Sequence, residues 1–130
     1  MFRGYEQGEK MGLLDGLFGG KAKGLYKTGM EKAKKRDFAG AIETYTELIE
    51  LDKAPSDLKS MAKLNRALGY SSMGNYDQAQ SDLKQILDNP EAPAKVKTMA
   101  TVKLDRYKKL LEKKAAVKAE AAAKAAAEKK

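Results

Sequence analysis

Few residue types in this chain are suited to catalysis or metal binding. Cysteine and histidine are both absent, which excludes disulfides, thiolate nucleophiles, the usual near-neutral proton shuttle and the commonest metal ligand. Acid–base or metal chemistry would therefore depend on Asp, Glu, Lys and Tyr. Glu43, Glu47 and Glu50 recur at helical spacing, so they would form a row on one helix face. Such a row is more often solvated surface than a catalytic pair or a metal site.

Two further motif classes are incomplete. Residues 52–63, DKAPSDLKSMAK, lack the central glycine and the terminal glutamate of a calcium-binding loop. No strand is evident before a glycine-rich turn, so a phosphate-binding loop is not expected either. We therefore expect a protein that is not an enzyme and that uses no metal and no cofactor.

An apolar pattern that occurs twice is the clearest feature of the sequence. RDFAGAIETYTEL at residues 36–48 is echoed 38 positions later by GNYDQAQSDLKQI at residues 74–86. Apolar residues in both copies recur every three or four positions, which predicts amphipathic helices. Asp37 and Asn75 precede the two stripes and are suited to cap the helices. The stripes contain Phe38, Ala41, Ile42, Tyr45, Leu48 and Ile49 in the first copy, and Tyr76, Ala79, Leu83, Ile86 and Leu87 in the second.

Each stripe follows another helical segment, at residues 21–35 and 56–74. The repeated unit is therefore a helix, a short turn and a second helix. Neither pair can bury its apolar stripe alone, so the two copies should stack. A fifth helix is predicted from about Pro93, where it would close the open end of the stack. Its expected buried face comprises Val96, Met99, Ala100, Tyr107, Leu110 and Leu111.

This arrangement resembles the tetratricopeptide repeat, a helical hairpin of about 34 residues. The matching residues are Gly29, Phe38, Ala41 and Tyr45 in the first copy, and Ala67, Tyr70, Tyr76, Ala79 and Leu83 in the second. NRALGYSSMGNYDQA, residues 65–79, is the most diagnostic segment. Lys32 departs from the pattern, since it stands where the family places an aromatic residue.

The resemblance implies an all-α fold in which tetratricopeptide-like hairpins stack in a short right-handed superhelix with a long C-terminal helix. The helical domain would span residues 21–111. Within it, the first repeat would occupy about 22–55, the second about 56–92, and the capping helix would start at about 93. Two repeats are fewer than such stacks normally need, so the capping helix or a second subunit must supply the missing contacts.

Proteins of this family bind peptides or partner helices on the concave face formed by the first helix of each pair. The resemblance therefore implies a peptide-binding groove. Its positions in this chain would be Lys23, Tyr26, Met30, Lys34, Met61, Leu64, Leu68, Ser72, Lys95, Val102 and Arg106. The methionines and leucines among them could equally belong to the core.

Some members of the family hold the C-terminal carboxylate of a peptide with five polar or basic residues. Asn65 and Lys95 stand at two of the matching positions. Tyr26, Met30 and Met99 stand at the other three and cannot pair with a carboxylate. Carboxylate binding of this kind is not expected.

The two ends of the chain differ from its body. Residues 1–20 contain six glycines, which predicts a flexible segment. Leu13, Leu14, Leu17 and Phe18 within it could contact a membrane, fill a groove, pack on the first helix or remain disordered. Residues 94–130 hold 12 Lys/Arg against four Asp/Glu and so account for the whole net charge of +8, whereas residues 1–93 are neutral. Residues 112–130 are rich in Ala and Lys and predict a helical tail.

These observations favour an adaptor or scaffold that binds a protein or peptide partner. One alternative is a protein that docks to nucleic acid or an anionic membrane through the basic residues 113–130. Another is a scaffold that associates with itself as a homo-oligomer. No signal peptide or membrane-spanning segment is expected, so a cytoplasmic location is predicted.

Overall fold

The computed structural model describes residues 20–129, and all of the regular secondary structure in that range is helical. The helices are α1 (Gly20–Lys34), α2 (Phe38–Ile49), α3 (Ser56–Ser72), α4 (Tyr76–Asp88) and α5 (Ala94–Glu128). Each packs against the next, and α3 also contacts α1 and α5. This confirms an all-α fold of stacked helical hairpins, α1–α2 and α3–α4, with a long C-terminal helix. The prediction for the glycine-rich N-terminus concerns residues outside the described range, apart from Gly20, which begins α1.

The turns inside the two hairpins have the same construction. Arg36 and Gly74 stand 38 residues apart, and both adopt left-handed backbone conformations, with φ of 64° and 81°. The next residue in each turn closes the helix, because Asp37 N donates to Lys32 O and Asn75 N donates to Tyr70 O, both at 2.8 Å. Glycine adopts this conformation without steric cost, whereas arginine adopts it at a cost.

The two predicted N-caps differ in the structure. The Asp37 carboxylate accepts a hydrogen bond from Gly40 N at 2.9 Å and so caps α2. Asn75 occupies the corresponding position before α4, but its side chain makes no capping hydrogen bond. Only the first hairpin therefore gains the stabilisation that a side-chain cap provides.

The buried apolar residues form two clusters. The first cluster, from α1, α2 and α3, contains Ala22, Ala41, Tyr45, Leu48 and Ala62. The second cluster contains Leu64, Ala67, Ala79, Leu83, Ile86, Ala92, Val96, Ala100, Leu104 and Tyr107. Helix α3 contributes to both clusters, so it is the element through which the hairpins share a core.

Arg66 connects the hairpins, because it forms an ion pair within the second hairpin and a hydrogen bond to the first. The Arg66 guanidinium on α3 donates from Nη2 to Asp82 Oδ1 at 2.6 Å and from Nε to Asp82 Oδ2 at 2.8 Å. Its Nη1 donates to Thr46 Oγ1 on α2 at 3.0 Å. The hydrogen bonds to the Asp82 carboxylate raise the pKa of Arg66 above its ordinary value. One side chain of α3 therefore joins α2 to α4.

Helix α5 is buried only in its first half. Val96, Ala100, Leu104 and Tyr107 are buried, and the Tyr107 hydroxyl donates to Ser71 Oγ on α3 at 2.9 Å. The sequence pattern predicts Met99 in this face, but the Met99 residue is 41% exposed. The buried face instead contains the neighbouring residue Ala100. Every residue from 112 to 129 is exposed.

Among residues 20–129, no helix has the length and apolarity that crossing a lipid bilayer requires.

Candidate functional site

The main candidate site is a groove between α1 and α3, with part of α2 as its floor. Its volume is about 380 Å³. We call it the α1–α3 groove. The residues that line it are Met30, Ala33, Lys34, Phe38, Ala41, Tyr45, Asn65, Leu68, Gly69 and Ser72.

The lining is mostly apolar. Met30 is 37% exposed on one wall, and Leu68 on the opposite wall is half-buried. The polar groups are few and include the exposed Lys34 and Ser72. Such a surface suits apolar side chains of a ligand, and methionine adapts its shape to them.

The floor of the groove is neutral and fixed in place. Tyr45 is buried, and burial raises the pKa of its phenol above the ordinary value, so the group is uncharged near neutral pH. The Tyr26 ring packs 6.1 Å from the Tyr45 ring, centre to centre. Asn65 Nδ2 on α3 donates to the Tyr26 hydroxyl on α1 at 2.9 Å. This hydrogen bond joins the two walls. It also occupies the side-chain amide of Asn65, one of the two residues that match the carboxylate-binding pattern.

A second hollow lies nearer the start of α1. It has a volume of about 270 Å³ and is lined by Lys23, Pro55, Asp57, Leu58 and Met61. Helices α1 and α3 border both spaces. We call this space the near hollow, because Lys23 lies only three residues after the first residue of α1.

The structure brings together some of the residues predicted for the groove and separates others. Met30, Lys34, Leu68 and Ser72 line the α1–α3 groove, Lys23 and Met61 line the near hollow, and Tyr26 joins the walls. Leu64 belongs to the second cluster, is only 5% exposed and lines neither space. Lys95, Val102 and Arg106 are exposed on α5 and line neither space.

Sequence reasoning missed the contribution of α2. Phe38 and Tyr45 line the floor of the groove, although the prediction used only the first helix of each pair and the capping helix. Phe38 begins the repeated apolar stripe, and its half-buried position is typical of a residue shared between core and surface. The stripe was therefore the signal that could have identified it.

The described residues offer no alternative centre for metal chemistry. Within residues 20–129, no group of three or more His, Cys, Asp or Glu side chains could hold a metal ion. Glu43, Glu47 and Glu50 are exposed on α2.

Comparison with curated proteins finds similarity to photosystem I assembly proteins named Ycf3. The chain is 33% identical over 78 residues to the protein of Synechococcus sp. (strain WH7803). It is 35% identical over 78 residues to that of Cyanophora paradoxa, and 32% identical over 78 residues to that of Prochlorococcus marinus (strain MIT 9303). These alignments cover 59% of this chain and 44% of each relative, so the chain matches less than half the length of these relatives. No protein-family model and no solved structure matches the chain.

Proposed function

We propose that this chain is a non-enzymatic interaction module that binds a peptide or partner helix in the α1–α3 groove. The observation that carries the proposal is the open apolar lining that Met30 and Leu68 provide over the Phe38 and Tyr45 floor. Helices α1 and α3 leave this surface uncovered within residues 20–129. Grooves of this kind bind apolar side chains of an extended segment or of one helix face.

The charges around the groove indicate the chemistry of the ligand. Lys34 lines the groove, and Lys35 and Arg36 follow it on the exposed turn to α2. A ligand with apolar anchors and an acidic flank would complement this arrangement, because opposite charges at the edge of an interface steer association.

The relatives extend the proposal from binding to assembly. Because the similar proteins are named photosystem I assembly proteins, we propose that this chain assists the assembly of a multisubunit protein complex. Photosystem I subunits are the first partners to test. A cytoplasmic location stays a prediction from the sequence.

A matched pair of substitutions tests the groove. Met30→Glu places a carboxylate on the groove wall, and Met73→Glu makes the same change at a methionine that is 50% exposed and lines no part of the groove. Burying a carboxylate against apolar ligand side chains is unfavourable. We expect M30E to lower partner capture at least about tenfold, which corresponds to about 1.4 kcal/mol.

The assay is affinity capture from native lysate with quantitative mass spectrometry, followed by titration of the captured photosystem I subunit or other protein. Circular dichroism must first show that both variants retain the helical content of the wild type. Equal capture by M30E and M73E would contradict binding in the groove.

The exposed tail supports a second candidate function. Residues 113–129 are all exposed, and they carry five lysines against two glutamates. A surface of this kind can bind the phosphates of nucleic acid or an anionic membrane. If the tail is the functional element, removing residues 113–130 will abolish a salt-sensitive affinity for DNA or anionic vesicles. If the groove is the functional element, the truncated chain will capture the same partner as the full chain.

A further inference from the structure

Helices α1 and α3 run parallel and in register along the candidate surface. Lys23 and Met61 line the near hollow, and Met30 and Leu68 line the α1–α3 groove. The residues of each pair are 38 positions apart, and the two pairs are seven residues apart on both helices. At 1.5 Å of rise per residue, the two spaces are about 10 Å apart along the helices, and residues seven apart share nearly the same face. The near hollow and the groove therefore open on one side of the molecule.

The interval between the two spaces matches an α-helix better than an extended chain. Residues seven apart on a helix lie on nearly the same side and are about 10 Å apart. In an extended chain, residues on one face are two or four positions apart, which corresponds to about 7 or 13 Å. One helix can therefore place an apolar side chain in each space, whereas either extended spacing misses by about 3 Å.

The polarity of the groove favours the same kind of occupant. An extended segment carries backbone N–H and C=O groups that need partners when they are buried. Met30 and Leu68 on the groove walls have no hydrogen-bonding group to offer, and the amide nitrogen of Asn65 donates to the Tyr26 hydroxyl. A helix satisfies its backbone hydrogen bonds internally. A helical occupant therefore loses less on entering this groove than an extended one.

The charges at the two ends indicate the direction of the helix. Lys34 lines the groove at the end of α1, and the exposed Lys35 and Arg36 follow it. Asp57 lines the near hollow in the first turn of α3. The N-terminal end of a helix is the positive end of its dipole and favours acidic residues. A helix with an acidic first turn beside the three basic residues would lie antiparallel to α1 and α3, which also places opposite dipole ends together.

We propose that the ligand of the α1–α3 groove is an amphipathic helix of a partner protein, with an acidic first turn and two apolar anchors seven residues apart. The inference rests on the proposed function, since it describes the ligand of the same groove. The first anchor enters the groove beside Met30, and the second enters the near hollow beside Met61. The helix lies antiparallel to α1 and α3.

A synthetic peptide serves as the probe. It has about 16 residues, because shorter helices are marginal in water. It consists of Ala and Gln, with Glu in the first turn and two leucines seven positions apart. One control moves the second leucine by two positions, to the opposite side of the helix. A second control has the leucines four positions apart in a proline-containing sequence, and so represents an extended ligand.

We expect the probe to bind the full-length protein at least about tenfold more tightly than either control, because only the probe can bury both leucines. Fluorescence anisotropy of labelled peptides measures the three affinities. A nitroxide label at the N-terminus of the probe should broaden the ¹³C-methyl NMR signal of Met30 more than that of Met61, because the antiparallel helix begins at the groove.

Variants of the protein locate the two anchors. Met30→Glu and Met61→Glu each place a carboxylate in one of the two spaces and should each weaken binding of the probe at least about tenfold. Met73→Glu should leave it unchanged, because Met73 lines neither space. Circular dichroism must show that the variants retain the helical content of the wild type. The peptide controls and the nitroxide label use the wild-type protein, so their results stand even if M61E unfolds.

Equal affinities of the probe and either control would overturn the inference, as would stronger broadening of Met61 than of Met30. Failure of the probe to bind would also overturn it. Met30 and Met61 signals that change on dilution without peptide would assign the groove to a second copy of this chain and would likewise overturn it. None of these outcomes alters the comparison of M30E with M73E in partner capture. The proposed function can therefore survive the failure of this inference.

Discussion

Gly29 illustrates how single residues fix the crossing of two helices. A Cβ atom at this position would lie 2.5 Å from Tyr45 Cε1, which is far closer than carbon atoms can approach. The corresponding positions of the second hairpin, 38 residues later, hold Ala67 and Leu83. The first crossing thus pairs the large ring of Tyr45 with Gly29, which has no side chain. The second pairs the smaller side chain of Leu83 with the methyl group of Ala67.

We expect Gly29→Ala to destabilise the protein by about 1–3 kcal/mol, because the buried ring must move to admit the methyl group. This cost exceeds the gain of about 1 kcal/mol that alanine brings to a helix. In a Tyr45→Leu background, which reproduces the pairing of the second hairpin, the cost of G29A should shrink. Urea unfolding of the single and double variants measures this coupling.

Gly24 supplies the control for this experiment. It lies on the same helix, and among residues 20–129 no atom beyond its chain neighbours and its own helix backbone lies within 4 Å of the place that an added methyl carbon would take. Gly24→Ala should therefore stabilise the protein slightly through helix propensity. If G29A were as stabilising as G24A, the close contact with Tyr45 would be disproved.

The Arg66–Asp82 pair predicts an asymmetry between single and double substitutions. Asp82 is almost fully buried, and Arg66 is the residue that pairs with its carboxylate. Arg66→Met leaves that charge buried without its partner and should cost about 3–5 kcal/mol. Adding Asp82→Leu removes the charge and should recover much of the stability, as measured by thermal and urea unfolding. A double variant less stable than R66M would contradict this account.

At the scale of the elements, the left-handed turn residue of the first hairpin is a site for stabilisation. Arg36 has a φ of 64°, which costs a non-glycine residue about 1–2 kcal/mol. Its guanidinium lies 5.4 Å from the centre of the Phe38 ring, a contact that contributes about 0.5–1 kcal/mol at an exposed site. Arg36→Gly removes the backbone cost of the left-handed conformation but also removes the contact with the Phe38 ring.

We therefore expect R36G to raise the stability by up to about 1 kcal/mol. The reverse change at the equivalent turn, Gly74→Arg, should lower it. Urea midpoints of the two variants measure both effects, and a loss of stability in R36G would show that the contact with Phe38 outweighs the backbone cost.

The positions of the helices were more predictable from the sequence than the contacts that each helix makes. The repeated stripe gave the positions of α2 and α4, because helical periodicity is a local property. On α5 the apolar pattern placed both Met99 and Ala100 in the buried face, because both are apolar, whereas the packed helices bury only Ala100. The sequence pattern also could not tell whether Leu64 and Leu68 are core or surface residues. They are four residues apart on α3, yet Leu64 is in the core and Leu68 lines the groove.

At the scale of the whole molecule, the two clusters should melt as one unit. Helix α3 contributes Ala62 to the first cluster and Leu64 to the second, so both clusters lose packing contacts if α3 unfolds. Leu48→Ala and Leu104→Ala lie in different clusters, and each should lower the same thermal transition. A leucine truncation of this type costs about 2–5 kcal/mol in a buried site.

Far-UV circular dichroism and tyrosine fluorescence should give coincident melting curves for both variants, as a two-state transition requires. Two separate transitions in either variant would show that the hairpins fold independently. The exposed tail at residues 113–129 is not expected to share this transition, because it contributes no residue to either cluster.

The position of α3 also determines how far the effect of a bound peptide extends. Leu68, Gly69 and Ser72 of α3 line the groove, and the same helix supports both clusters. A peptide seated there would hold α3 in place and oppose the opening fluctuations of α4 and α5, although it touches neither. Their backbone amides should then exchange with deuterated solvent more slowly in the complex than in the free protein.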